Sequence, residues 1–162
     1  MNSNKNLKVV DLFAGAGGFG LGFALAGCDV TCSLEMDQWA TDTLRANNPD
    51  MTVIQDDIRN YQTFADIRSV MPTLPDIIIG GPPCQGFSVA GPAQKDPKDP
   101  RNSLFQNFAC WVEYLQPQIF VMENVKGILS RRNANRERVI DIIGRRFKTK
   151  KSGLTNYANY RD

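Results

Sequence analysis

One cysteine and one glutamate stand out as residues that could carry out chemistry together. Cys84 lies in the segment GGPPCQGFS, where two prolines directly before it restrict the backbone and hold the thiol in place. A positioned thiolate is a strong nucleophile and suits covalent catalysis. Glu123 opens the segment ENV, and a carboxylic acid in a pocket can deliver a proton. The pair predicts attack by sulfur assisted by an acid; the alternatives are a buried structural cysteine and a helix-capping or ion-paired glutamate.

The chain contains no histidine, which excludes several common catalytic sites. Ser-His-Asp triads, Cys-His pairs and histidine-ligated zinc deaminase sites cannot be built from it alone. Activation of Cys84 would therefore come from helix N-termini, backbone N–H groups or a cation such as Arg101. The other cysteines, Cys28, Cys32 and Cys110, are expected to be small buried hydrophobes in a reducing compartment. Cys28 and Cys32 could form half of a metal site, but no second pair of ligands matches them, so we expect no metal.

A glycine-rich turn, DLFAGAGGFG, follows the first apolar run of the chain. Small residues let the backbone approach a ligand, and the following helix would present free N–H groups. The spacing also fits G-x-G-x-x-G, which is typical of NAD and FAD sites. Glu35 would end a second strand, where an acid can hold ribose hydroxyls, and Asp57-Ile58 would follow a third, beside an adenine edge. These features predict an adenosine-containing cofactor, either NAD or S-adenosylmethionine; a structural turn with surface acids is the alternative.

Hydrophobic periodicity predicts the scaffold that would position these residues. Short apolar runs predict five strands, at Leu7–Phe13, Val30–Leu34, Met51–Gln55, Asp76–Gly80 and Ile119–Met122. Helical spacing predicts five helices, at Gly18–Ala26, Gln38–Asn47, Thr63–Met71, Ser103–Leu115 and Asn135–Phe147. This alternation predicts an α/β fold with an open, doubly wound, mostly parallel sheet. Ligands bind such sheets at the carboxyl edge where strand order reverses, usually between the first and fourth strands. Cys84 and Glu123 would therefore converge on one pocket with the glycine turn.

Length and charge set further limits. The 162 residues suffice for one domain, and no apolar stretch is long enough to span a membrane. The N-terminus lacks a basic segment followed by an apolar one, so we expect a cytoplasmic protein. Residues 126–162 carry 11 basic and 3 acidic side chains. We expect a domain over residues 1–143 and an atypical basic polar tail over 144–162, which could bind phosphates or simply be solvated.

Three segments, DLFAGAGGFGLGF, PPCQGFS and ENV, resemble the first, fourth and sixth conserved motifs of cytosine-C5 DNA methyltransferases. Their order and spacing match over residues 7–143. The resemblance implies a class I, Rossmann-like methyltransferase fold that uses S-adenosylmethionine, with Cys84 and Glu123 as catalytic residues. It implies that the cofactor is bound by Phe13, Gly15, Ala16, Gly17, Gly18, Glu35, Met36, Asp57, Ile58, Pro83 and Leu104. It implies that the substrate is bound by Gln85, Ser88, Arg101 and Asn124.

The chemistry that the resemblance implies uses the catalytic pair. Cys84 adds to C6 of a cytosine, which breaks the aromaticity of the ring and makes C5 nucleophilic. Glu123 binds N3 and the exocyclic amine and supplies a proton as negative charge develops. C5 takes the methyl group of the sulfonium, and loss of the C5 proton expels the thiolate. The partner is double-stranded DNA with the target cytosine flipped out, because a stacked base cannot reach these groups.

The sequence also departs from the family pattern. Met36 stands where family members often have an aromatic residue that packs on adenine. No arginine-containing Q-x-R-x-R motif, target-recognition domain or returning C-terminal segment is present. The resemblance therefore implies a C-terminally truncated or split enzyme that has little activity alone. We expect a second polypeptide to carry the missing parts, and a restriction-modification system as the setting.

Three other functions remain open at this level. A cytosine-C5 methyltransferase that acts on RNA would share the catalytic motifs, because discrimination by the 2′-hydroxyl lies in other contacts. A non-catalytic cofactor-binding fragment would retain both catalytic residues after a recent truncation. A dinucleotide-dependent oxidoreductase would explain the glycine turn but would give PPCQGFS and ENV no role. The basic residues Arg131, Arg132, Arg145 and Arg146 are candidates for contacts with a DNA backbone.

Overall fold

A computed structural model describes residues 6–83, 104–129 and 136–148, and its centre is a five-stranded parallel sheet. The strand order is β3-β2-β1-β4-β5. The strands are β1 (Lys8–Leu12), β2 (Asp29–Glu35), β3 (Thr52–Gln55), β4 (Ile77–Gly80) and β5 (Ile119–Met122). The helices are α1 (Gly18–Leu25), α2 (Gln38–Asn47), α3 (Phe64–Val70), α4 (Leu104–Leu115) and α5 (Val139–Lys148), with 3-10 turns at Ile58–Asn60 and Lys126–Leu129. The predicted doubly wound α/β fold is confirmed.

The two central strands, β1 and β4, are apolar enough to be covered on both faces, as parallel sheets require. On one face Val10 and Ile78 pack into the main core, together with Ile67 of α3 and Phe108 of α4. Their neighbours along the strands point to the opposite face, because side chains alternate along a strand. That face holds Val9, Ile77 and Ile79, which pack against Phe19 and Phe23 of α1.

The observed boundaries agree with the predicted ones to within about two residues, except at α5. This helix begins at Val139 rather than Asn135. Arg136 has a φ of 63°, a left-handed conformation that interrupts a helix, so the earlier start was wrong. Asp141 in the first turn binds the guanidinium of Arg138 at 2.7 and 2.9 Å. The helix also continues past residue 143 to Lys148, into the segment expected to be a tail.

Local signals fix the two helices that follow β2 and β3. The carboxylate of Asp37 accepts a hydrogen bond from the backbone N–H of Ala40 at 2.9 Å and caps α2. Thr63 and Asp66 form a reciprocal capping box at the start of α3. Within the residues that the structure describes, no helix has the length and apolar character needed to cross a membrane.

Candidate active site

The strand order reverses between β1 and β4, which are direct neighbours, as predicted. Their carboxyl ends therefore flank the crevice where open α/β sheets bind ligands. The glycine turn leaves β1 at this edge and the segment Gly81–Pro83 leaves β4. Glu35 ends β2 and Glu123 follows β5 at the same edge. The fold thus gathers the described parts of all three sequence motifs along one side of the sheet.

The turn after β1 has an unusual backbone conformation. Phe13, Gly15 and Gly17 all have positive φ values, of 61°, 55° and 92°. Such a value is normal for glycine but costs energy for an aromatic residue, and such strain often occurs at functional sites. A Cβ atom on Gly17 would lie 2.6 Å from Cδ2 of Leu44, so only glycine lets α2 pack this closely. The side chain of Phe13 is half-buried against the main core.

Glu35 ties this turn to the end of β2. Its Oε2 accepts a hydrogen bond from the backbone N–H of Gly15 at 2.9 Å. Its Oε1 accepts hydrogen bonds from the N–H groups of Met36 at 2.8 Å and Asp37 at 2.9 Å. An ionised carboxylate has about four acceptor positions, so this one can still accept from a ligand hydroxyl. The carboxylate is therefore held in one orientation at the carboxyl edge of the sheet.

The end of β3 joins the same network through its backbone. The N–H of Asp56 donates to the carbonyl oxygen of Glu35 at 3.1 Å. Asp57 caps the following turn, and both its oxygens accept from the guanidinium of Arg59, with Nε at 2.9 Å from each. These hydrogen bonds from Arg59 hold the pKa of the Asp57 carboxyl below its usual range. The side chain of Ile58 is buried in the main core.

Glu123 and Asn124 contact the segment that leads into the cysteine loop. The N–H of Glu123 donates to the carbonyl oxygen of Gly80 at 2.9 Å, and Nδ2 of Asn124 donates to that of Pro82 at 3.3 Å. A Cβ atom on Gly81 would lie 3.0 Å from Oε2 of Glu123, so the carboxylate lies directly beside this glycine. The two chain segments are therefore bonded together immediately before Cys84.

The remaining predicted site residues fall into two groups. At the carboxyl edge, Met36 is exposed, Pro83 is half-buried and Leu104 is buried at the start of α4, while Ala16 and Gly18 are exposed in the turn. The predicted site residues that lie outside the described part of the chain are Cys84, Gln85, Ser88 and Arg101.

Asp11 is a buried acid in strand β1, just before the glycine turn, and the sequence analysis assigned it no role. It lies in the middle of β1 with 1% of its surface exposed. Its Oδ2 accepts a hydrogen bond from the N–H of Gly20 at 3.0 Å, while Oδ1 has no hydrogen-bond partner among the described residues. A Cβ atom on Gly20 would lie 3.0 Å from Oδ2, so this glycine makes room for the carboxyl group. The signal was available as a single acid within the apolar run LKVVDLF.

Burial raises the pKa of Asp11, the hydrogen bond from the N–H of Gly20 lowers it and the nearby charge of Glu35 raises it, and the net result is a pKa of about 7. The folded state therefore keeps a proton that the unfolded chain releases near the usual value of 3.8. The resulting stabilisation is fully present below about pH 4 and is lost as the pH rises towards 7.

Asp11→Asn is expected to remove this pH dependence, because the amide keeps an acceptor for the N–H of Gly20 but does not ionise. Relative to the unsubstituted protein, the variant should gain on the order of 2 kcal/mol of unfolding free energy between pH 5 and pH 7.5. Urea denaturation at the two pH values measures this gain. The exposed Asp50→Asn serves as the control, and a gain equal to that of the control would contradict the prediction.

The three described cysteines are free thiols. Cys32 is fully buried, and burial raises its pKa to about 12, so it is an inert core residue, as predicted. Cys28 and Cys110 are only half-buried, contrary to prediction. Among the residues that the structure describes, no group of three His, Cys, Asp or Glu side chains could hold a metal ion.

Two of the arginines considered for DNA contacts are paired with carboxylates of the protein. Arg145 binds Glu137 at 2.8 Å, and Arg146 binds Glu113 at 2.7 Å. Binding a phosphate with either guanidinium would compete with these ion pairs. Arg131 and Arg132 lie outside the described residues.

The described residues define a doubly wound α/β protein in which the described parts of the three sequence motifs meet at the carboxyl edge of the sheet. The profile of the C-5 cytosine-specific DNA methylase family matches residues 7–149, and the chain belongs to this family. The Type II methyltransferase M.DdeI of Desulfomicrobium norvegicum is 47% identical over 143 residues, which are 87% of this chain and 33% of the relative. The Type II methyltransferase M.AquIA of Picosynechococcus sp. is 42% identical over 125 residues, which are 76% of this chain and 50% of the relative.

Two solved structures have a similar fold over most of this chain. A prophage-encoded E. coli protein described as a DNA modification methyltransferase has a TM-score of 0.69 and 36% identity, and the match covers 88% of this chain and 38% of that one. A mutant of Spodoptera frugiperda DNMT2 has a TM-score of 0.62 at 23% identity, covering 88% and 41%, which shows the fold alone. The chain spans between a third and a half of the length of the curated relatives it matches.

Proposed function

We propose that this chain supplies the S-adenosylmethionine site and the catalytic pair of an enzyme that methylates C5 of cytosine in DNA, in a restriction-modification system. The observation that supports the proposal best is the contact between the segment that leads into PPCQGFS and the ENV segment. Glu123 and Asn124 are hydrogen-bonded to Gly80 and Pro82, directly before the cysteine loop. A carboxyl group is thereby held beside the segment that bears the proposed nucleophile, at the reversal point of the sheet.

The hydrogen bonds of the glycine turn favour S-adenosylmethionine over a dinucleotide. A pyrophosphate would need free N–H groups from a G-x-G-x-x-G turn. Here the N–H of Gly15 donates to Glu35, that of Gly17 to Ala14 and that of Gly20 to Asp11. The acceptor for Gly15 is the carboxylate of Glu35, which disfavours an anionic ligand and suits a cofactor with a sulfonium and an ammonium group.

The space above the turn also fits a cofactor. A Cβ atom on Gly15 or Gly18 would meet nothing within 4 Å, so the backbone is open to a ligand at both positions. Glu35 would hold the ribose hydroxyls with its remaining acceptor capacity, and Asp57 would accept from the adenine amino group in competition with its hydrogen bonds from Arg59. Met36 is 64% exposed beside Glu35 and offers its thioether to the adenine face. The cofactor itself supplies an electrophilic methyl group.

The proposed reaction follows from the two catalytic side chains. The thiolate of Cys84 forms a bond to C6 of a flipped-out cytosine, while Glu123 delivers a proton at N3. The electrons of the C5–C6 double bond would become available at C5, which would form a bond to the methyl group as the bond between that methyl group and the cofactor sulfur breaks. A base would then remove the C5 proton, the double bond would re-form, the bond between C6 and the sulfur of Cys84 would break, and N3 would return its proton to Glu123. The enzyme returns to its starting state with a methylated base.

The remainder of the enzyme is proposed to come from further polypeptide. The matched relatives are two to three times as long as the region they share with this chain. We propose that recognition of the target sequence, and closure of the cofactor pocket, reside in that additional part. The chain alone is therefore expected to bind cofactor but to transfer methyl groups to DNA very slowly.

Calorimetric titration of the purified chain with S-adenosylmethionine tests the cofactor site. We expect binding in the micromolar range, and we expect Glu35→Ala to weaken it at least tenfold. The variant loses the proposed ribose contact and the anchor of the Gly15 N–H. NAD should bind more weakly than S-adenosylmethionine, because the N–H groups of all three glycines of the G-x-G-x-x-G pattern already have acceptors within the protein.

Asp37→Ala is the matched control, because it removes the same charge two residues away. It loses only the cap of α2, which costs about 1 kcal/mol of stability without touching the pocket. Equal losses of affinity in the two variants would mean that Glu35 acts only through folding. Tighter binding of NAD than of S-adenosylmethionine would overturn the assignment of the cofactor.

A further inference from the structure

Asp57 differs from Glu35 in how its carboxylate oxygens are used. Both carboxylates lie at the carboxyl edge of the sheet, and the proposed function gives each of them a contact with the cofactor. Within the described part of the chain, Oε2 of Glu35 accepts one hydrogen bond, from Gly15, so it retains a lone pair for a ligand hydroxyl. Each oxygen of Asp57 instead receives two N–H contacts, and all of them come from Arg59. The acceptor that the adenine amino group needs is therefore already in use.

Arg59 places three donor groups around the carboxylate of Asp57. Its backbone N–H donates to Oδ1 at 2.9 Å. Its Nε lies 2.9 Å from both Oδ1 and Oδ2 and shares its hydrogen between them, and its Nη2 also donates to Oδ2. A carboxylate oxygen has two lone pairs, so these contacts use the acceptor directions of both oxygens. Another amino group can enter only if the guanidinium gives way, because the backbone N–H is fixed in the turn.

The turn that holds Asp57 does not depend on the guanidinium of Arg59. Asp56 stabilises this turn, because its Oδ1 accepts from the N–H of Asp57 at 2.7 Å and its Oδ2 accepts from the hydroxyl of Tyr61 at 2.8 Å. Tyr61 is buried in the main core and packs edge-on against Trp111, with ring centroids 5.7 Å apart. The side chain of Arg59, in contrast, is 51% exposed. The guanidinium can therefore turn into solvent while Asp57 stays in place.

We propose that Arg59 competes with the adenine of the cofactor for Asp57 and thereby sets the affinity and the purine specificity of the site. In the free chain the guanidinium holds the acceptor positions of Asp57, and the cofactor binds when its 6-amino group takes one of them and the arginine turns outward. This inference rests on the proposed function, since it concerns the proposed contact between Asp57 and adenine. S-adenosylhomocysteine, which remains after methyl transfer, carries the same adenine, so Arg59 weakens binding of cofactor and product alike.

The exposure of the ion pair limits the size of the effect. Exposed ion pairs are weak and forked ones are the strongest among them, so displacing Arg59 should lower the affinity about threefold to fivefold. The effect should shrink as salt is added, because salt screens exposed charges. A guanidinium beside a positively charged cofactor would also lower the affinity by simple repulsion. Repulsion does not depend on the 6-amino group, so changing the purine of the ligand separates the two causes.

The experiment titrates the full chain with two ligands, S-adenosylhomocysteine and its analogue in which hydrogen replaces the 6-amino group. Calorimetry gives both affinities for the unsubstituted chain and for Arg59→Met, which keeps an aliphatic stem but removes the guanidinium. We expect the variant to bind S-adenosylhomocysteine about threefold to fivefold more tightly and to bind the analogue with unchanged affinity. The matched control is Arg45→Met, which removes a guanidinium that pairs with Asp42 at 3.4 Å and should change neither affinity.

Equal gains for the two ligands would overturn the proposal in favour of simple charge repulsion. Weaker binding of S-adenosylhomocysteine by Arg59→Met would also overturn it, because the guanidinium would then contribute to binding instead of competing with it. Binding that is the same in the variant and the unsubstituted chain would leave the cofactor site standing and remove only the role of Arg59. Absence of binding in both proteins would count against the proposed cofactor site itself, and the inference would fall with it.

Discussion

Replacing Glu123 by glutamine is expected to lower the rate of methyl transfer by a hundredfold or more in the complete enzyme that this chain is proposed to form with further polypeptide. A positioned acid contributes about 10² to 10⁴ to a reaction in which charge develops on the substrate. Glutamine has nearly the same shape and can still bind the base, but it has no proton to deliver. The N–H of residue 123 would keep its 2.9 Å bond to Gly80, so the geometry should survive. Single-turnover transfer of labelled methyl groups to DNA measures the effect.

The control for this experiment is Glu137→Gln, which makes the same change at an exposed carboxylate that pairs with Arg145. Its transfer rate should stay within about twofold of the unsubstituted enzyme, since a surface ion pair contributes little. Cys84→Ala should abolish transfer, because the bond to C6 can no longer form. Full activity of the Glu123 variant, with unchanged cofactor binding, would mean that another group delivers the proton.

The architecture could be predicted from the sequence because its signals are local and repeated. Each strand is a short apolar run, and the capping residues Asp37 and Thr63 mark the starts of α2 and α3. Right-handed crossovers then leave few possible strand orders, and the neighbouring positions of β1 and β4 followed from them. Because the carboxyl ends of parallel strands lie at the same edge of a sheet, the predicted strands also placed Glu35 and Glu123 at one edge.

The contacts of the site could not be predicted in this way, because they depend on backbone geometry that no pattern encodes. The sequence indicated that Glu35 could hold a ribose, but not that it accepts three backbone hydrogen bonds. It presented Gly20 as part of a phosphate-binding pattern, whereas this glycine makes room for the buried Asp11. Both contacts bear on the interpretation of the cofactor, since they show that the N–H groups of Gly15 and Gly20 already have acceptors within the protein.

The exposure of apolar residues was also beyond sequence reasoning. Leu25 and Ile119 have the composition of core positions, and the hydrophobic pattern correctly assigned them to a helix and a strand. Only the structure shows that no described residue covers them. A pattern reports what a residue prefers, and only the structure reports whether described residues cover it.

Gly80→Ala is expected to lose about 3 kcal/mol or more of unfolding free energy, or to prevent folding altogether. A Cβ atom at this position would lie inside van der Waals contact with the carbonyl oxygen of Leu12 and 3.1 Å from Cε2 of Phe108. Leu12 belongs to the neighbouring strand β1, so its backbone cannot move without opening the pair that flanks the site. Cofactor affinity should fall with stability, because the glycine turn begins directly after Leu12.

Gly144→Ala is the matched control, since it adds the same methyl group within α5, where a Cβ atom would meet nothing within 4 Å. Alanine in a helix interior is favoured over glycine, so this variant should gain roughly 0.5 to 1 kcal/mol. Urea denaturation should therefore show a loss of unfolding free energy for Gly80→Ala and a gain for Gly144→Ala, although both variants add one methyl group. A loss below about 1 kcal/mol for Gly80→Ala would mean that β4 can move away from β1. The close packing of β4 on β1 would then not be what holds Gly81 beside Glu123. Another contact would have to fix the position of the segment that leads into the cysteine loop.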